Sequence, residues 1–314
     1  MIQIIVKRLL VAVPTLFLVS VIIFMMQKML PGDPALMLAG EIRDPEVLDA
    51  LREKYHLNDP LYVQYQHWIM QILRGDLGVS LRTEVPVATL IAQKLPVTFQ
   101  LSVVAMLLAM VIGVPLGIIS AVRQNTAVDY SANLFALSGM SVPNFWLGIV
   151  LIMGLSVWAG VLPASGFVSV FDDPGAFLTH IIMPAFVLST PISAYLLRHT
   201  RSAMLSVLRA DFIRTARAKG APPSRVVLKH ALRNALTPIV TMATLLFGEL
   251  LAGAVLTEQV FAIPGFGKLI VDAVFARDYA VVQGVVLVTA ALFIFLNMLA
   301  DVLYYLITPR MRYA

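Results

Sequence analysis

Six apolar runs constrain the fold of this sequence more than any other feature. They cover about residues 9–26, 97–122, 134–161, 181–197, 235–256 and 281–307. A helix needs about 20 mainly apolar residues to cross the roughly 30 Å hydrocarbon core of a bilayer. Five runs reach that length, and 181–197, which contains Pro184 and Pro191, is marginal. The chain is 59% hydrophobic and only 13% charged, so we expect an all-α membrane protein with six transmembrane helices.

The first run has two interpretations. Lys7 and Arg8 precede it, and a basic start followed by an apolar run is also typical of a cleaved signal peptide. No pattern of small residues suited to cleavage follows; instead the chain continues through Lys28 into the polar segment 30–34. We therefore expect an uncleaved N-terminal transmembrane helix within residues 1–30.

Residues 31–96 form the main polar region. Asp44-Pro45-Glu46 is typical of a helix start, and a second helix is expected over 61–73. Gly75-Asp76-Leu77-Gly78 predicts a turn. We expect a small folded extramembrane region here, followed by a five-helix core over 97–314.

The distribution of basic residues predicts the orientation. Lys and Arg concentrate at one set of ends and loops: Lys7, Arg8, Arg123, the loop 199–234, Arg310 and Arg312. The loop 162–180 contains no Lys or Arg, only Asp172 and Asp173 as charged residues. Short cytoplasmic loops carry an excess of Lys and Arg. Both termini are therefore expected in the cytoplasm, with 31–96 on the opposite side.

The segment DFIRTARAKGAPPSRVVLKHALRNALTP, residues 211–238, is an unusually structured basic loop. Asp211 suits an N-cap or first helical turn, and Gly220 suits the C′ position after a short helix. Pro222-Pro223 prevents continuation, and Ser224 is expected to cap the next helix. A helix in the lipid headgroups would explain the charge. Docking of a separate protein better explains the compact helix–Gly–Pro-Pro–helix unit.

Polar residues inside the apolar runs are candidates for a translocation path. Glu249 lies in the fifth run, and Asn297 and Asp301 lie in the sixth. Ionisable groups within a membrane are costly and often functional. For Glu249 the alternatives are an interhelical hydrogen bond or a position at the outer end near water. For Asp301 the alternative is an ion pair with a cytoplasmic arginine.

The sequence offers little for catalysis or for cofactors. It contains no cysteine, and its five histidines are scattered without metal-ligand spacing on one helix. Gly265-Phe266-Gly267-Lys268 lacks the first glycine of a phosphate-binding loop and has Leu269 where Ser or Thr is required. We expect a non-enzymatic chain that binds no metal, ATP or nucleic acid.

Several motifs resemble one family of membrane proteins. Residues 214–220, RTARAKG, and 229–235, KHALRNA, are similar to the EAA loop of ABC importer permeases. The general pattern has Glu and Ala where this chain has Arg214 and Thr215, and Pro in place of Arg233; these departures are typical of the dipeptide/oligopeptide/nickel branch. Further matches are LPGDP at 30–34, GDLGVS at 75–80, PGFG at 264–267 and RDY at 277–279. The resemblance covers nearly the whole chain and is greatest to the first of the two permeases, of the dipeptide or glutathione type.

This resemblance implies a type I importer permease (MetI-like) fold with an extracytoplasmic region after the first helix, in a bacterial inner membrane. It implies a coupling helix that docks on an ATPase subunit, formed by Asp211, Arg214, Thr215, Ala216, Arg217, Ala218 and Lys219 and ended by Gly220. The implied partners are a homologous second permease, one or two ATPases holding ATP and Mg²⁺, and an extracytoplasmic substrate-binding protein.

The cargo stays open at this point. Short peptides are expected, with glutathione, nickel or an oligosaccharide as alternatives. A self-sufficient secondary transporter is a more distant alternative, since it would need intramembrane charges at a repeat interface and no docking loop.

Overall fold

The structure, a computed structural model, describes residues 2–29, 44–54 and 58–307. Its helices are α1 Ile2–Met29, α2 Pro45–Lys54, α3 Leu61–Leu73, α4 Val87–Val122, α5 Ala127–Ser141, α6 Asn144–Leu151, α7 Pro174–Leu208, α8 Asp211–Ala218, α9 Pro223–Arg225, α10 Leu232–Gly253, α11 Val255–Val260, α12 Phe266–Phe275 and α13 Tyr279–Ile307. Wider π-helical turns follow α6 at Ile152–Trp158 and α9 at Val226–Ala231. The described residues contain no β-strand beyond one bridge between Val79 and Pro86.

The expected all-α membrane architecture is confirmed. Among the described residues, five helices are long and apolar enough to cross a bilayer, within α1, α4, α7, α9–α10 and α13. A sixth span exists only if α5 and the helix that follows it count together. The prediction of one helix over 134–161 is wrong, because the chain bends by 97° between Ser141 and Asn144. Pro143 lies at this break, where it disfavours helical geometry in the residue before it.

The prediction of a short, interrupted fourth span is also wrong. α7 runs unbroken for 35 residues from Pro174 to Leu208. Asp173 starts it, because its carboxylate accepts hydrogen bonds from the backbone N–H groups of Gly175 (2.9 Å) and Ala176 (3.0 Å). Pro184 and Pro191 lie inside the helix. Prolines are tolerated in membrane helices that pack among neighbouring helices, and α7 is buried along much of its length.

The chain forms two compact units. One comprises 96–268 together with the segment from 295 onward, and the other comprises 2–95 together with 269–294. In the first unit, α7 is the most buried helix, with fully buried side chains along its length such as Ile181, Leu188, Leu196 and Met204. It packs against α5 and α10.

Close packing within the first unit depends on two glycines of α4. Gly113 and Gly117 are four residues apart and face α7. A Cβ atom on Gly113 would lie 2.5 Å from the Ser193 carbonyl oxygen, and one on Gly117 would lie 2.7 Å from the Leu197 carbonyl oxygen. Small residues at this spacing let helix backbones approach closely in membranes. Larger side chains at either position would push the two helices apart.

In the second unit, α3 packs on α1. The hydroxyl groups of Ser20 and Tyr65 are 2.7 Å apart, and the Phe24 ring contacts the rings of Tyr65 and Trp68. The predicted helix over 61–73 is confirmed, as is the helix start at Asp44, whose carboxylate accepts a hydrogen bond from the Glu46 backbone N–H at 3.0 Å. The predicted motif at 30–34 lies outside the described residues.

Candidate functional site: the basic loop and its supports

The basic loop (residues 199–234) contains the short helix α8. Ala210 is its N-cap, and Asp211 lies in the first turn, where a negative charge interacts favourably with the helix dipole. The Thr215 hydroxyl donates to the Asp211 carbonyl at 3.1 Å. Asp211 also lies 3.4 Å from the Arg214 guanidinium, although both side chains are largely exposed, at 95% and 80%. The expectation of Asp211 in the first turn is confirmed.

A Schellman motif ends α8. The Gly220 N–H donates to the Arg217 carbonyl at 2.9 Å, and the Ala221 N–H donates to the Ala216 carbonyl at 3.2 Å. Gly220 has φ +76°. This left-handed conformation costs a β-branched residue far more than glycine. The sequence-based assignment of Gly220 to C′ is therefore confirmed.

The next helix begins two residues earlier than expected. Pro222 is the N-cap and Pro223 the first helical residue, so the prediction that Ser224 caps this helix is wrong. Proline suits the first helical position because its missing N–H would have no partner there in any case. The chain then passes through the π-helical turns at Val226–Ala231 into α10.

One side chain anchors α8 to the rest of the first unit. Ile213 is fully buried in an apolar cluster whose other members are Ala121, Met204, Val226, Ala231, Ala235 and Ile239. These residues come from α4, α7, the π-helical turns and α10. Phe212, the residue before Ile213, is by contrast 45% exposed. Burying an isoleucine contributes about 1.5–3 kcal/mol, so α8 is held in place rather than tethered loosely.

The opposite side of α8 is exposed and basic. We call it the basic face: Phe212, Arg214, Thr215, Arg217, Ala218, Lys219 and the nearby Leu228. Phe212 and Leu228 contribute exposed apolar surface, 60% for Leu228. An apolar anchor surrounded by arginines is typical of surfaces that bind proteins.

A buried ion pair involves Arg201, near the start of the basic loop, and the sequence did not predict it. The Arg201 guanidinium of α7 donates to both carboxylate oxygens of Asp129 in α5, each at 2.8 Å. The Ser120 hydroxyl of α4 donates to the same carboxylate at 2.5 Å, and the Asn125 N–H does so at 2.9 Å. Asp129 is only 2% exposed. Three helices thus meet at one carboxylate, which we call the Asp129–Arg201 clamp.

A second buried carboxylate explains the PGFG motif. Glu258 is fully buried and accepts hydrogen bonds from the Thr98 hydroxyl and from the Lys268 backbone N–H, the latter at 2.7 Å. Glu258 belongs to α11, and its carboxylate contacts the first turn of α12. A Cβ atom on Gly265 would overlap the Glu258 carboxyl group, so the glycine provides space for it. Burial raises the pKa of Glu258, while the hydrogen bonds from Thr98 and the backbone lower it less strongly.

The second unit contains a similar arrangement that explains two more motifs. Asp278 of RDY is buried at the start of α13 and accepts a hydrogen bond from Ser80 of GDLGVS at 2.5 Å. Within GDLGVS, Asp76 accepts from the Gly78 N–H at 2.9 Å, and Gly75 and Gly78 both have φ +84°. The predicted turn is confirmed, and glycine is favoured at both positions because of the left-handed backbone.

The candidate path residues differ in exposure. Glu249 is exposed on α10, and Asn297 is half-buried in α13. The side chain of Asp301 lies outside the described residues. The path role of Glu249 and Asn297 stays a prediction. Among the residues that the structure describes, no group of three or more His, Asp or Glu side chains could hold a metal ion.

The sequence matches two family domains that together cover most of its length. Residues 113–313 match the binding-protein-dependent transport system inner membrane component, and residues 1–102 match the N-terminal domain of such components.

Relatives with assigned names match over the full chain. The chain is 42% identical over 316 residues to the oligopeptide transport system permease protein AppB of Bacillus subtilis (strain 168), covering 98% of this chain and 99% of that protein. It is 40% identical over 337 residues to the dipeptide transport system permease protein DppB of Escherichia coli (strain K12), covering 100% and 99%.

Solved structures support the fold. A chain of the MetNI methionine ABC transporter in an inward-facing conformation, in its native crystal form, aligns with a TM-score of 0.57 at 21% identity, covering 70% of this chain and 96% of that one. A second crystal form gives the same TM-score at 20% identity. The predicted type I importer permease fold is confirmed.

Proposed function

Because this chain belongs to the family of binding-protein-dependent transport system inner membrane components, we propose that it is the permease subunit of an ATP-driven importer of dipeptides and oligopeptides. It forms half of a translocation path that opens alternately to the two sides of the membrane. The peptide cargo is supported by the names of its relatives in Bacillus subtilis and Escherichia coli.

The observation that carries the proposal is the rigid geometry of α8. Ile213 anchors the helix in the buried apolar cluster, and the Schellman motif at Gly220 fixes its end. Its basic face is left exposed. A segment that transmits movement between subunits must be stiff and must present a specific surface. A loop whose only role was to set topology would need charge but neither feature.

The partners follow from this role. The chain itself is non-catalytic and binds no ATP; separate ATPase subunits hold ATP and Mg²⁺ and dock on Asp211, Arg214, Thr215, Ala216, Arg217, Ala218, Lys219 and Gly220. A homologous second permease completes the path, and an extracytoplasmic binding protein delivers the peptide.

The chain is a multi-pass protein of the bacterial inner membrane. Both termini and the basic loop lie in the cytoplasm, according to the distribution of Lys and Arg. The region 31–96 then lies outside, where it contacts the binding protein or braces the outer surface.

Within the path we assign Glu249 and Asn297 as polar contacts for the peptide. The exposure of Glu249 on a membrane-spanning helix supports this assignment, because a charge in contact with lipid is costly. A carboxylate can bind the free amine of a peptide. We expect Glu249→Gln to lower uptake of a free-amine dipeptide and to leave uptake of its N-acetylated form unchanged. Equal effects on both peptides would contradict the assignment.

Affinity purification of the tagged chain from its native membrane tests the proposal as a whole. We expect a phosphate-loop ATPase, a second multi-span permease and a peptide-binding protein to co-purify, as identified by mass spectrometry. Recovery of the chain alone, active in liposomes without ATP, would mean that it is a secondary transporter.

Substitution of Gly220 tests the coupling helix. Gly220→Val places a β-branched residue at φ +76° and should abolish uptake while membrane insertion stays normal. Gly220→Asn is the matched control, because asparagine tolerates this conformation far better, and it should retain most uptake. Normal uptake by the valine variant would exclude a role for this turn in coupling.

A further inference from the structure

We propose that the Asp129–Arg201 clamp is a positioning element that makes α5 move as one body with α4, α7 and the coupling helix α8. The proposal rests on the proposed function, since it concerns how movement of α8 reaches the transmembrane helices. Neither residue contacts cargo or nucleotide in this proposal; both act by holding helices together.

The first step is the number and direction of the bonds to Asp129. Both carboxylate oxygens accept from the Arg201 fork, and the Ser120 hydroxyl, the Asn125 N–H and the Asn133 side-chain amide add three more donors. Paired bonds between a guanidinium and a carboxylate fix orientation as well as distance. The clamp therefore sets the rotation of α5 relative to α7, which apolar packing alone restricts less.

The second step is the position of the clamp along α4. Gly113, Gly117 and Ser120 recur at helical spacing on one side of α4, and they approach α7 at Ser193, Leu197 and Arg201 in the same order. The clamp thus continues the close interface between these helices. It also adds a polar contact with α5 to that interface.

The third step connects this interface to α8. Ala121 follows Ser120 directly, and Met204 lies one turn beyond Arg201. Both residues belong to the buried cluster around Ile213 of α8. A displacement of α8 therefore pushes on α4 and α7 next to the clamp, and the clamp carries the displacement to α5.

The fourth step is the choice of chemistry. A buried ion pair often contributes little net stability compared with apolar residues of similar size, whereas in some proteins it specifies one arrangement of its neighbours. A polar cluster at this point accordingly suits a role in geometry. The buried apolar residues by which α5 packs on α7 include Ala132 and Ala136. Such small side chains restrict the orientation of α5 less than large ones would.

The test uses the intact importer reconstituted in liposomes and measures peptide uptake per ATP hydrolysed. We expect Asp129→Asn to lower this ratio about tenfold, within the range found for residues that modulate coupling, while ATP hydrolysis continues. The control is Asp172→Asn, which makes the same change at an exposed aspartate outside the clamp and should leave the ratio unchanged. An unchanged ratio in Asp129→Asn would overturn the proposal.

Two milder variants keep the proposal testable if Asp129→Asn does not assemble. Arg201→Lys keeps the positive charge but cannot bond both oxygens in a fixed plane, and Ser120→Ala removes one donor. Either variant should assemble and show a smaller decrease in uptake per ATP. A normal ratio in both would overturn the proposal.

Distance measurements test rigid-body movement directly. The chain contains no cysteine, so Tyr130→Cys in α5 and Ser206→Cys in α7 can be spin-labelled together, and both positions are exposed. We expect one narrow distance distribution, unchanged between nucleotide-free and ATP-bound importer, and a broad one when Arg201→Lys is added. A distance that changes with nucleotide in the otherwise unaltered chain would refute rigid-body movement. If the proposed function itself is wrong, no ATPase co-purifies with the chain. That outcome is distinct from an unchanged uptake ratio and from a distance that changes with nucleotide.

Discussion

Asp129 and Glu258 are both carboxylates removed from water, at 2% and 0% exposure, yet they are stabilised in different ways. Asp129 is held by a full opposite charge, the Arg201 guanidinium at 2.8 Å. Glu258 is held by a hydroxyl group and by backbone N–H groups at the start of α12. The first joins three long helices, and the second holds a short helix and a glycine-rich turn.

The difference teaches what each site depends on. At Asp129 the negative charge itself is needed, because its removal would leave a guanidinium without its partner. At Glu258 burial opposes the charge and raises the pKa, so the shape and the hydrogen bonds of the carboxyl group matter more than ionisation. Removal of the charge should therefore cost more stability at Asp129 than at Glu258, and a change of shape should matter more around Glu258.

The largest effect is expected from Asp129→Ala. Breaking this pair should cost about 3 kcal/mol, the lower end for buried pairs, because the Arg201 side chain remains 24% exposed. Thermal unfolding of the purified chain in nanodiscs, followed by tryptophan fluorescence, measures the loss. Asp49→Ala, at an exposed pair, serves as control. A similar melting temperature for both variants would mean that the clamp contributes no more than a surface ion pair.

Gly265→Ala should have the next largest effect. The added methyl group overlaps the Glu258 carboxyl group, and overpacking typically costs about 1–3 kcal/mol. Glu258→Ala removes the carboxyl group that the new methyl group would overlap. The Gly265→Ala/Glu258→Ala double variant should therefore lose less stability than the two single variants lose in sum. Strict additivity in this cycle would show that the glycine is not needed to accommodate Glu258.

Glu258→Gln should have a smaller effect, and one that depends on pH. A raised pKa in the folded state means that folding favours the protonated acid. The contribution of Glu258 to the stability of the unaltered chain is therefore fully present below about pH 4 and is lost as pH rises through the raised pKa. Glutamine does not titrate, so the glutamine variant should gain relative to the unaltered chain as pH increases. Melting temperatures compared over about pH 4–8 test this; parallel curves would mean that Glu258 does not titrate in that range.

Arg214→Ala should have the smallest effect on stability. Its ion pair with Asp211 is exposed, so the melting temperature should not change measurably. Recovery of the ATPase in affinity purification should decrease, because Arg214 lies on the basic face. If the Arg214→Ala variant recovers the ATPase normally but melts at a lower temperature, the exposed pair contributes to stability and not to ATPase binding, contrary to the role assigned to it.

The basic loop could be predicted closely because its signals are local. Asp211 in the first turn, Gly220 at C′ and the prolines after it specify a short helix through backbone preferences alone. The error at Ser224 arose because proline at the first helical position competes with the usual serine cap. The run 181–197 is marginal in length because the apolar pattern ends before the helix does, and its prolines lie inside a helix that is buried along much of its length.

The sequence by itself determined the membrane class, the family and the fold of the basic loop. These depend on run lengths, on motif order and on preferences of neighbouring residues. Only the tertiary structure decided that Asp129 meets Arg201, that Thr98 meets Glu258 and that Ser80 meets Asp278. Each pair joins residues 72 to 198 positions apart, and no local preference can specify which distant polar groups share one buried site.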